Sequence, residues 1–202
     1  MNKQEIRALI RQRKKQHTPA ELSALSLRLT ATLLDRIEAL SAHKNKGEAS
    51  NTHASPFSAQ ESIITSTPST ILLYHSLPDE VDTHQLIRTL HSIGKLVLLP
   101  TIKGEELELH EYTDENALAP SFQFNIQEST GRLYTDYHLI DLAIIPGMAF
   151  TPSGDRLGRG KGYYDRLLPK LSCPLIGLAF PFQILDTLPC EPHDIRMTEV
   201  IY

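Results

Sequence analysis

The chain has 202 residues, of which 41% are hydrophobic and 22% are charged, so it can bury a continuous core in one domain. Its formal net charge of -4 argues against a nucleic acid or an anionic membrane surface as a partner, so any bound anion must be held locally. The two cysteines, Cys173 and Cys190, lack metal-ligand spacing and give no disulfide framework. We therefore expect a single domain over residues 1–202.

The N-terminal residues predict a pair of helices. Apolar and basic side chains separate onto opposite faces of a helix over residues 3–16. Thr18, a capping hydroxyl, is followed by Pro19 and Glu21 and starts a second helix. Apolar residues continue that helix at helical spacing: Leu22, Leu25, Leu29, Leu33 and Ile37.

No segment has the length of a signal-peptide core or of a membrane span. Met1 leads directly into a polar, basic segment. The sequence therefore predicts a cytoplasmic protein without a membrane partner. It leaves the oligomeric state open, with a monomer as the default expectation.

Two regions lack a regular pattern. Residues 41–69 are rich in Ser, Thr, Asn, His and Pro, a composition that cannot bury enough apolar surface to order itself, so we expect a mobile polar loop there. Residues 104–137 contain one plausible strand, "LELHEY", and are otherwise not assigned.

Two strand–helix–strand units account for most of the remaining chain. The first consists of "TILLY" (70–74), a helix over 82–94, and "KLVLLP" (95–100). The second runs from "LIDLAIIP" (139–146) to "PLIGLAF" (174–180) through a glycine-rich stretch and a helix. Such units imply parallel strands with right-handed crossovers. The sequence therefore predicts an α/β fold, an open, mostly parallel sheet with helices on both faces (Rossmann-like), together with the N-terminal helical pair.

The glycine-rich stretch "SGDRLGRGKGYYD" (153–165) is a candidate anion site. Glycines at alternate positions allow close approach of backbone amides to a ligand, and three cations, Arg156, Arg159 and Lys161, add positive charge. The stretch connects the carboxyl end of a strand to a helix, where open parallel sheets bind ligands. This combination favours a polyphosphate. At most one of Tyr163 and Tyr164 is expected to meet a ligand.

The stretch matches neither of the two common phosphate motifs. Asp155 stands where a P-loop has its first glycine, and Tyr163 stands where the dinucleotide fingerprint has its third. A plain surface loop, with its cations paired to Asp155 and Asp165, is the alternative, and the entropic cost of the glycines argues against it. Two other functions stay open. One is a phosphosugar isomerase or transferase on a similar sheet, and the other is a nucleic-acid-binding module that uses "RQRKKQ" (11–16).

The segment "IPGMAFTPSGDRLGRGKGYYDRLL" (145–168) resembles the signature of the 5-formyltetrahydrofolate cyclo-ligase family, also called methenyltetrahydrofolate synthetases. Weaker similarity covers Lys3 and Arg7, "YHSLPDEVDT", "FNIQE" and "EPHDIRMTEVIY", whereas residues 41–69 depart from the family pattern. The resemblance implies ATP- and Mg²⁺-dependent closure of the 5-formyl group of reduced folate onto N10. The products are 5,10-methenyltetrahydrofolate, ADP and phosphate.

The resemblance also implies site residues and small-molecule partners, ATP and a reduced formyl folate. The ATP-binding residues would be Lys3, Arg7, Arg156, Leu157, Gly158, Arg159, Gly160, Lys161, Gly162, Tyr163 and Tyr164. Of these, Arg159 and Lys161 would face the transferred phosphoryl group and act in catalysis. The folate-binding residues would be His75, Glu80, Phe124, Met148, Phe150 and Tyr163. The Mg²⁺ ligands would be Asp165 and Asp194. Without the resemblance, Lys3 and Arg7 read as a solvated basic face.

Overall fold

The computed structural model describes residues 1–47, 69–120, 127–192 and 194–202, with side chains described to residue 40 in the first range. Helices α1 (Lys3–Lys14) and α2 (Pro19–Gly47) form the predicted helical pair. The Thr18 hydroxyl accepts a hydrogen bond from the Glu21 amide at 3.2 Å, which is the predicted helix start. Helix α2 continues through Gly47, so the prediction of a loop from residue 41 is wrong for its first residues. Residues 48–68 lie outside the described residues.

The remaining elements follow the predicted order along the chain. The strands are β1 (Thr70–Leu72), β2 (Leu96–Lys103), β3 (Glu106–Glu111), β4 (Leu118–Pro120), β5 (Gln127–Ser129), β6 (Leu133–Tyr134), β7 (Leu142–Ile145), β8 (Ala149–Phe150), β9 (Arg156–Leu157), β10 (Leu175–Leu178) and β11 (Glu199–Ile201). Helix α3 (His84–Ser92) connects β1 to β2. Helix α4 (Tyr163–Leu167), extended by a 3-10 turn over Leu168–Lys170, lies between β9 and β10.

Within the described ranges, seven strands form one sheet in the order β11-β10-β7-β1-β2-β3-β6. The pairs from β11 to β2 are parallel, and β3 and β6 add an antiparallel edge. Two short antiparallel pairs, β4 with β5 and β8 with β9, lie outside this sheet. The predicted open, mostly parallel sheet is therefore confirmed.

Alternate strand residues pack on opposite faces of the sheet, because successive side chains of a strand point in opposite directions. One face carries Ile71 and Leu73 of the β1 segment and packs against α2 and α3. The other face carries Leu72 and packs against Leu167 of α4. Helices thus cover both faces, as the sequence predicts. A third, smaller cluster joins Ile6 and Ile10 of α1 to β8 and β9.

The strand order reverses between β1 and β7. From β1 the chain moves to β2 and then β3, whereas from β7 it moves in the other direction to β10 and then β11. The two connections lie on opposite faces of the sheet, so the segments that follow β1 and β7 diverge and leave a crevice at their carboxyl ends. Among the described residues, no helix is long and apolar enough to cross a membrane.

Candidate functional site

A cavity of about 150 Å³, the central cavity, lies at this reversal. Its first wall is the glycine loop, which we define as residues 156–165. The second wall, the strand-end wall, consists of the other lining residues: Tyr74, His75, Leu77, Glu80, Pro100, Ile102, Leu107, Glu128, Pro146 and Gly147. The structure thus brings predicted phosphate-binding residues and three predicted folate-binding residues, His75, Glu80 and Tyr163, around one space.

The glycine loop is anchored from inside by Arg156. Its side chain is only 5% exposed, donates to the Pro146 carbonyl at 3.2 Å and pairs with Asp165 at 2.5 Å. The guanidinium also lies over the Tyr164 ring, 5.5 Å from its centroid. Burial lowers the pKa of Arg156, and the neighbouring carboxylates of Asp165 and Asp194 act in the opposite direction. Arg156 therefore fixes the start of the loop to the end of β7.

The loop is also held from outside by α1. Leu157 is buried against Ile6 and Ile10, which seats the apolar face of α1 on β9. On the basic face, Arg7 Nε donates to the Gly158 carbonyl at 2.9 Å. The next glycine, Gly160, has a φ of 99° and lies beside the Arg7 guanidinium, so a side chain there would be strained and crowded. Arg7 and Leu157 therefore support the loop and do not line the central cavity.

Arg159 reaches across the central cavity to the strand-end wall. Its Nε donates to Glu80 at 3.0 Å, and its guanidinium also pairs with Asp79. Burial raises the pKa of Glu80, and the Arg159 charge only partly offsets it. Burial acts to raise the pKa of Asp79, but the hydrogen bond and charge of Arg159 outweigh burial, so the pKa of Asp79 is lowered. This ion pair joins the two walls.

Lys161 is exposed and, unlike Arg156 and Arg159, has no ion pair with the described residues. Its ammonium makes no hydrogen bond or ion pair with any residue that the structure describes. Asp165 is bound to Arg156, as the surface-loop alternative allows, and not to Lys161. Asp155 pairs with Arg196 at 2.7 Å, away from the loop cations. Lys161 is therefore available to an incoming anion.

Two predicted folate-binding residues, Phe150 and Met148, are not on the cavity wall. Phe150 is completely buried, with its ring against Gly147 and Gly177 of the two flanking strand segments. Met148 is 5% exposed and packs in the α1 cluster. Both side chains serve the core, Phe150 in the cluster on one face of the sheet and Met148 in the α1 cluster, so their prediction as pocket residues is not supported. Phe124 lies outside the described residues. Tyr163 and Tyr164 both line the cavity, whereas at most one was expected.

The remaining predicted residues lie at the periphery. Lys3 pairs with Glu191 at 2.8 Å and with Asp194 at 3.5 Å. The hydrogen bond to Glu191 is the main reason that the pKa of Lys3 is raised. Asp165 is on the cavity wall and Asp194 is not. In the part of the chain that the structure describes, no three His, Cys, Asp or Glu side chains form a metal cluster.

Four residues near the site were missed by the sequence reasoning. Asp79 holds Arg159, and Glu128 lines the cavity while accepting the Ile102 amide at 3.0 Å. Asp79 lies next to the predicted Glu80, and Glu128 ends the segment "FNIQE", which contains the predicted Phe124. Their position near a predicted residue was the available signal. Asp82 and His84 contact each other at 3.0 Å, and His84 contacts His75 at 3.1 Å. No spacing rule reveals this contact, because the turn after β1 creates it.

Comparisons with known proteins agree with this geometry. A family model described as the 5-formyltetrahydrofolate cyclo-ligase family matches residues 1–202. The mouse 5-formyltetrahydrofolate cyclo-ligase is 32% identical over 153 residues, 65% of this chain and 72% of the mouse protein. The enzyme of that name from Escherichia coli K12 is 30% identical over 139 residues, 65% of this chain and 76% of the other.

A solved structure is similar over the whole chain. The NMR structure of Aquifex aeolicus 5,10-methenyltetrahydrofolate synthetase superposes with a TM-score of 0.74 at 26% identity and covers 100% of this chain and 89% of that one. The similarity therefore extends over both walls of the central cavity.

Proposed function

Because the chain belongs to the 5-formyltetrahydrofolate cyclo-ligase family, we propose that it closes the formyl group of 5-formyltetrahydrofolate onto N10 with ATP. The products are 5,10-methenyltetrahydrofolate, ADP and phosphate. The observation that carries the proposal is the central cavity, where a cationic glycine loop faces a wall with an apolar slot and a buried carboxylate. Phosphoryl transfer depends on positioning and charge neutralisation, and these two walls supply both.

The glycine loop would hold the triphosphate. Its backbone amides and the free Lys161 ammonium face the space that is accessible to a polyanion. Charge-assisted hydrogen bonds of this kind contribute about 1.5–3 kcal/mol each. Lys161 and Arg159 are our candidates for neutralising the phosphoryl group as it passes to the formyl oxygen. Arg156 is already paired with Asp165, so we assign it the role of anchoring the loop.

The strand-end wall would hold the folate. Leu77, Pro100 and Ile102 provide an apolar slot for a flat heterocycle, and the Glu80 carboxylate can accept hydrogen bonds from ring N–H groups. Glu80 Oε2 already accepts the Leu77 amide at 3.0 Å, which fixes its orientation. Tyr163 and Tyr164 line the same space and can pack against the ring.

Substrate binding requires the Arg159 pair to open. The central cavity, about 150 Å³, is smaller than the about 300–1,000 Å³ of ordinary ligand sites, and Arg159 spans it. Phosphate oxygens would attract Arg159 and free Glu80 for the folate. Each substrate therefore competes with one half of the same ion pair, so binding of one should favour binding of the other.

Asp165 and Asp194 fit a role in holding Mg²⁺. Both carboxylates act on the Arg156 guanidinium, so both are near the mouth of the loop. Mg²⁺ is commonly bound by one or two carboxylates together with substrate phosphates. When bound, it would neutralise phosphate charge. Asp165→Asn and Asp194→Asn should each raise the Mg²⁺ concentration for half-maximal rate about tenfold, and an unchanged Mg²⁺ dependence would remove these ligands from the proposal.

The deciding experiment is a direct assay. Purified full-length protein with 5-formyltetrahydrofolate and Mg-ATP should form a product with the near-ultraviolet absorbance of the methenyl compound, with one ADP released per product. Omitting ATP is the matched control and should abolish the signal. A folded sample that binds ATP but forms no methenyl product would reject the proposal. ATP-independent turnover of a phosphosugar would favour the isomerase alternative.

A further inference from the structure

Two histidines and an aspartate form a continuous chain of contacts beside the central cavity. His75 Nδ1 lies 3.1 Å from His84 Nε2, and His84 Nδ1 lies 3.0 Å from Asp82 Oδ1. The two imidazole rings are 4.0 Å apart at their centroids. His75 follows β1, whereas Asp82 and His84 begin the α3 segment, so the turn after β1 brings the three together.

The chain of contacts connects two separate spaces. His75 lines the central cavity and also a second depression, the side groove, whose other walls include Asp82, His84, Arg88 and Glu115. Exposure increases toward the groove, since the side chain of His84 is 36% exposed and that of Asp82 is 60% exposed. One end of the chain thus faces the proposed substrates and the other faces solvent.

The partners assign the hydrogens. An ionised carboxylate only accepts, so His84 Nδ1 carries a hydrogen toward Asp82. A neutral His84 then has its lone pair on Nε2, and the 3.1 Å contact requires a hydrogen on His75 Nδ1. His75 Nε2 is therefore left with a lone pair. It has no hydrogen-bond partner among the described residues, and it is not one of their fully buried unpaired atoms.

The surroundings keep His75 in this neutral form. Burial and the neighbouring His84 lower the pKa of His75 to about 4. The charges of Glu115 and Asp82 act to raise the pKa of His75, and the charge of Arg88 acts to lower it. Arg88 is itself paired with Glu115 at 2.6 Å. His75 is thus a proton acceptor that does not retain the proton.

A serine nucleophile is not the explanation for this cluster. Ser76 Oγ lies 3.4 Å from His84 Nε2, longer than the His75 contact. It accepts the Thr83 amide at 3.2 Å and is only 6% exposed. Ser76 lines neither space, so no substrate carbonyl can reach it.

We propose that His75 accepts the proton released by N10 during ring closure and that His84 and Asp82 relay it to the side groove. This inference rests on the proposed function. It adds a proton path that the charge-neutralising loop does not provide, because the loop presents cations, which cannot accept a proton at neutral pH.

The ring-closing step conserves bonds and protons. The N10 lone pair attacks the formyl carbon, whose oxygen carries the transferred phosphoryl group, and a C–N bond forms. N10 becomes a cationic ammonium, a strong acid, so a neutral imidazole is a sufficient base. Its proton moves to His75 Nε2, and the Nδ1 proton of His75 moves to His84 Nε2. The C–O bond then breaks, and phosphate leaves with that electron pair. Phosphate takes up one proton from solvent, which offsets the proton that the relay returns through Asp82.

The test is a set of histidine variants in single-turnover formation of the methenyl product, measured from pH 4 to pH 8 so that the range reaches the His75 pKa of about 4. His75→Asn retains an N–H toward His84 but no basic nitrogen, and should lower the single-turnover rate about a hundredfold with little change in folate affinity. His84→Gln retains a hydrogen-bond acceptor but cannot carry a proton, and should lower the rate about tenfold and shift the acid limb of the profile by about one pH unit.

The matched control is His91→Gln, an exposed histidine on the same helix that should leave rate and profile unchanged. An active enzyme in which His75→Asn and His84→Gln retain the parent rate and pH profile would overturn the relay alone. A change in folate affinity without a change in the pH profile would show a structural role and would also overturn it. If the parent protein forms no methenyl product, the proposed function fails and the relay fails with it.

Discussion

The two walls of the central cavity stabilise charge in different ways. The glycine loop keeps Lys161, the cation that we propose for catalysis, in the open, without a partner among the described residues, and relies on Arg156 and Arg7 to hold the backbone. The strand-end wall does the reverse, because Glu80 is 11% exposed and hydrogen-bonded to backbone and guanidinium. Lys161 therefore costs little of the folding free energy, whereas Glu80, like the buried Arg156 of the loop, lies where desolvation of a charge is costly.

Removing the Lys161 charge should therefore affect function alone, whereas removing a buried charge on the strand-end wall should affect both function and stability. A free surface cation can be removed without leaving a buried group unpaired. Removing a buried carboxylate or imidazole leaves its hydrogen-bond partners buried and unpaired, which lowers the free energy of unfolding. Substitution of Lys161 should therefore change turnover more than folding, and substitution of Glu80 or His75 should change both.

Lys161→Ala is the largest expected effect and the sharpest test of the loop. Removing one donor aimed at developing charge costs about a hundredfold to a thousandfold in kcat, and the free energy of unfolding should change by less than about 0.5 kcal/mol. Steady-state kinetics and urea denaturation of the same samples measure the two quantities. Lys15→Ala, an exposed lysine at the end of α1, is the matched control. A marked loss of stability in Lys161→Ala would show that the ammonium has a structural partner and would erase the contrast between the walls.

Glu80→Gln tests the strand-end wall. Gln preserves the size and the contact to the Leu77 amide but removes the charge that folate N–H groups would meet, so KM for the folate should rise about tenfold to a hundredfold. Asp79→Asn is the matched control, since Asp79 also pairs with Arg159 but does not line the cavity. Equal KM values in the two variants would mean that the Arg159 ion pair, rather than a folate contact, gives Glu80 its importance.

The same contrast explains what could be predicted from the sequence. The glycine loop is a local feature, so alternate glycines between cations predicted an anion site, and the βαβ spacing placed it at the end of a strand. The strand-end wall is assembled from β2, β3 and β5 and from the segments that follow β1 and β7, and its contacts are tertiary. Burial of Phe150 and Met148 and the approach of His84 to His75 depend on packing that no single segment contains. The strands over residues 118–134 were missed because they are very short.

Gly160→Ala should reduce turnover and stability together, by modest amounts. The φ of 99° at Gly160 strains an alanine by about 1–2 kcal/mol, and its Cβ would lie 3.3 Å from the Arg7 guanidinium that holds the loop. We expect a stability loss of about 1 kcal/mol and about a tenfold lower kcat/KM for ATP. Gly94→Ala has a similar strain, with a φ of 81° and open space around the Cβ, but lies at the end of α3. Gly94→Ala should lower the free energy of unfolding by the same amount and leave the kinetics unchanged. A kinetic defect in Gly94→Ala would show that the kinetic effect of Gly160→Ala is not specific to the loop.

The smallest expected effect is a pH dependence of stability that belongs to His75. Its pKa in the folded protein, about 4, is below the ordinary value of 6.5, so at intermediate pH the unfolded chain binds a proton that the folded protein excludes. Stability from this source is complete above pH 6.5 and declines as the pH falls toward 4. The slope cannot exceed about 1.4 kcal/mol per pH unit, and partial exposure of the ring should reduce it to about half of that. Urea denaturation at pH 7 and pH 5 should therefore show a larger loss in the parent protein than in His75→Leu, by about 1 kcal/mol. Groups that titrate in both proteins cancel in this comparison. Equal losses would show that the ring is solvated in the folded state, and His75 would then resemble Lys161 in lying in water.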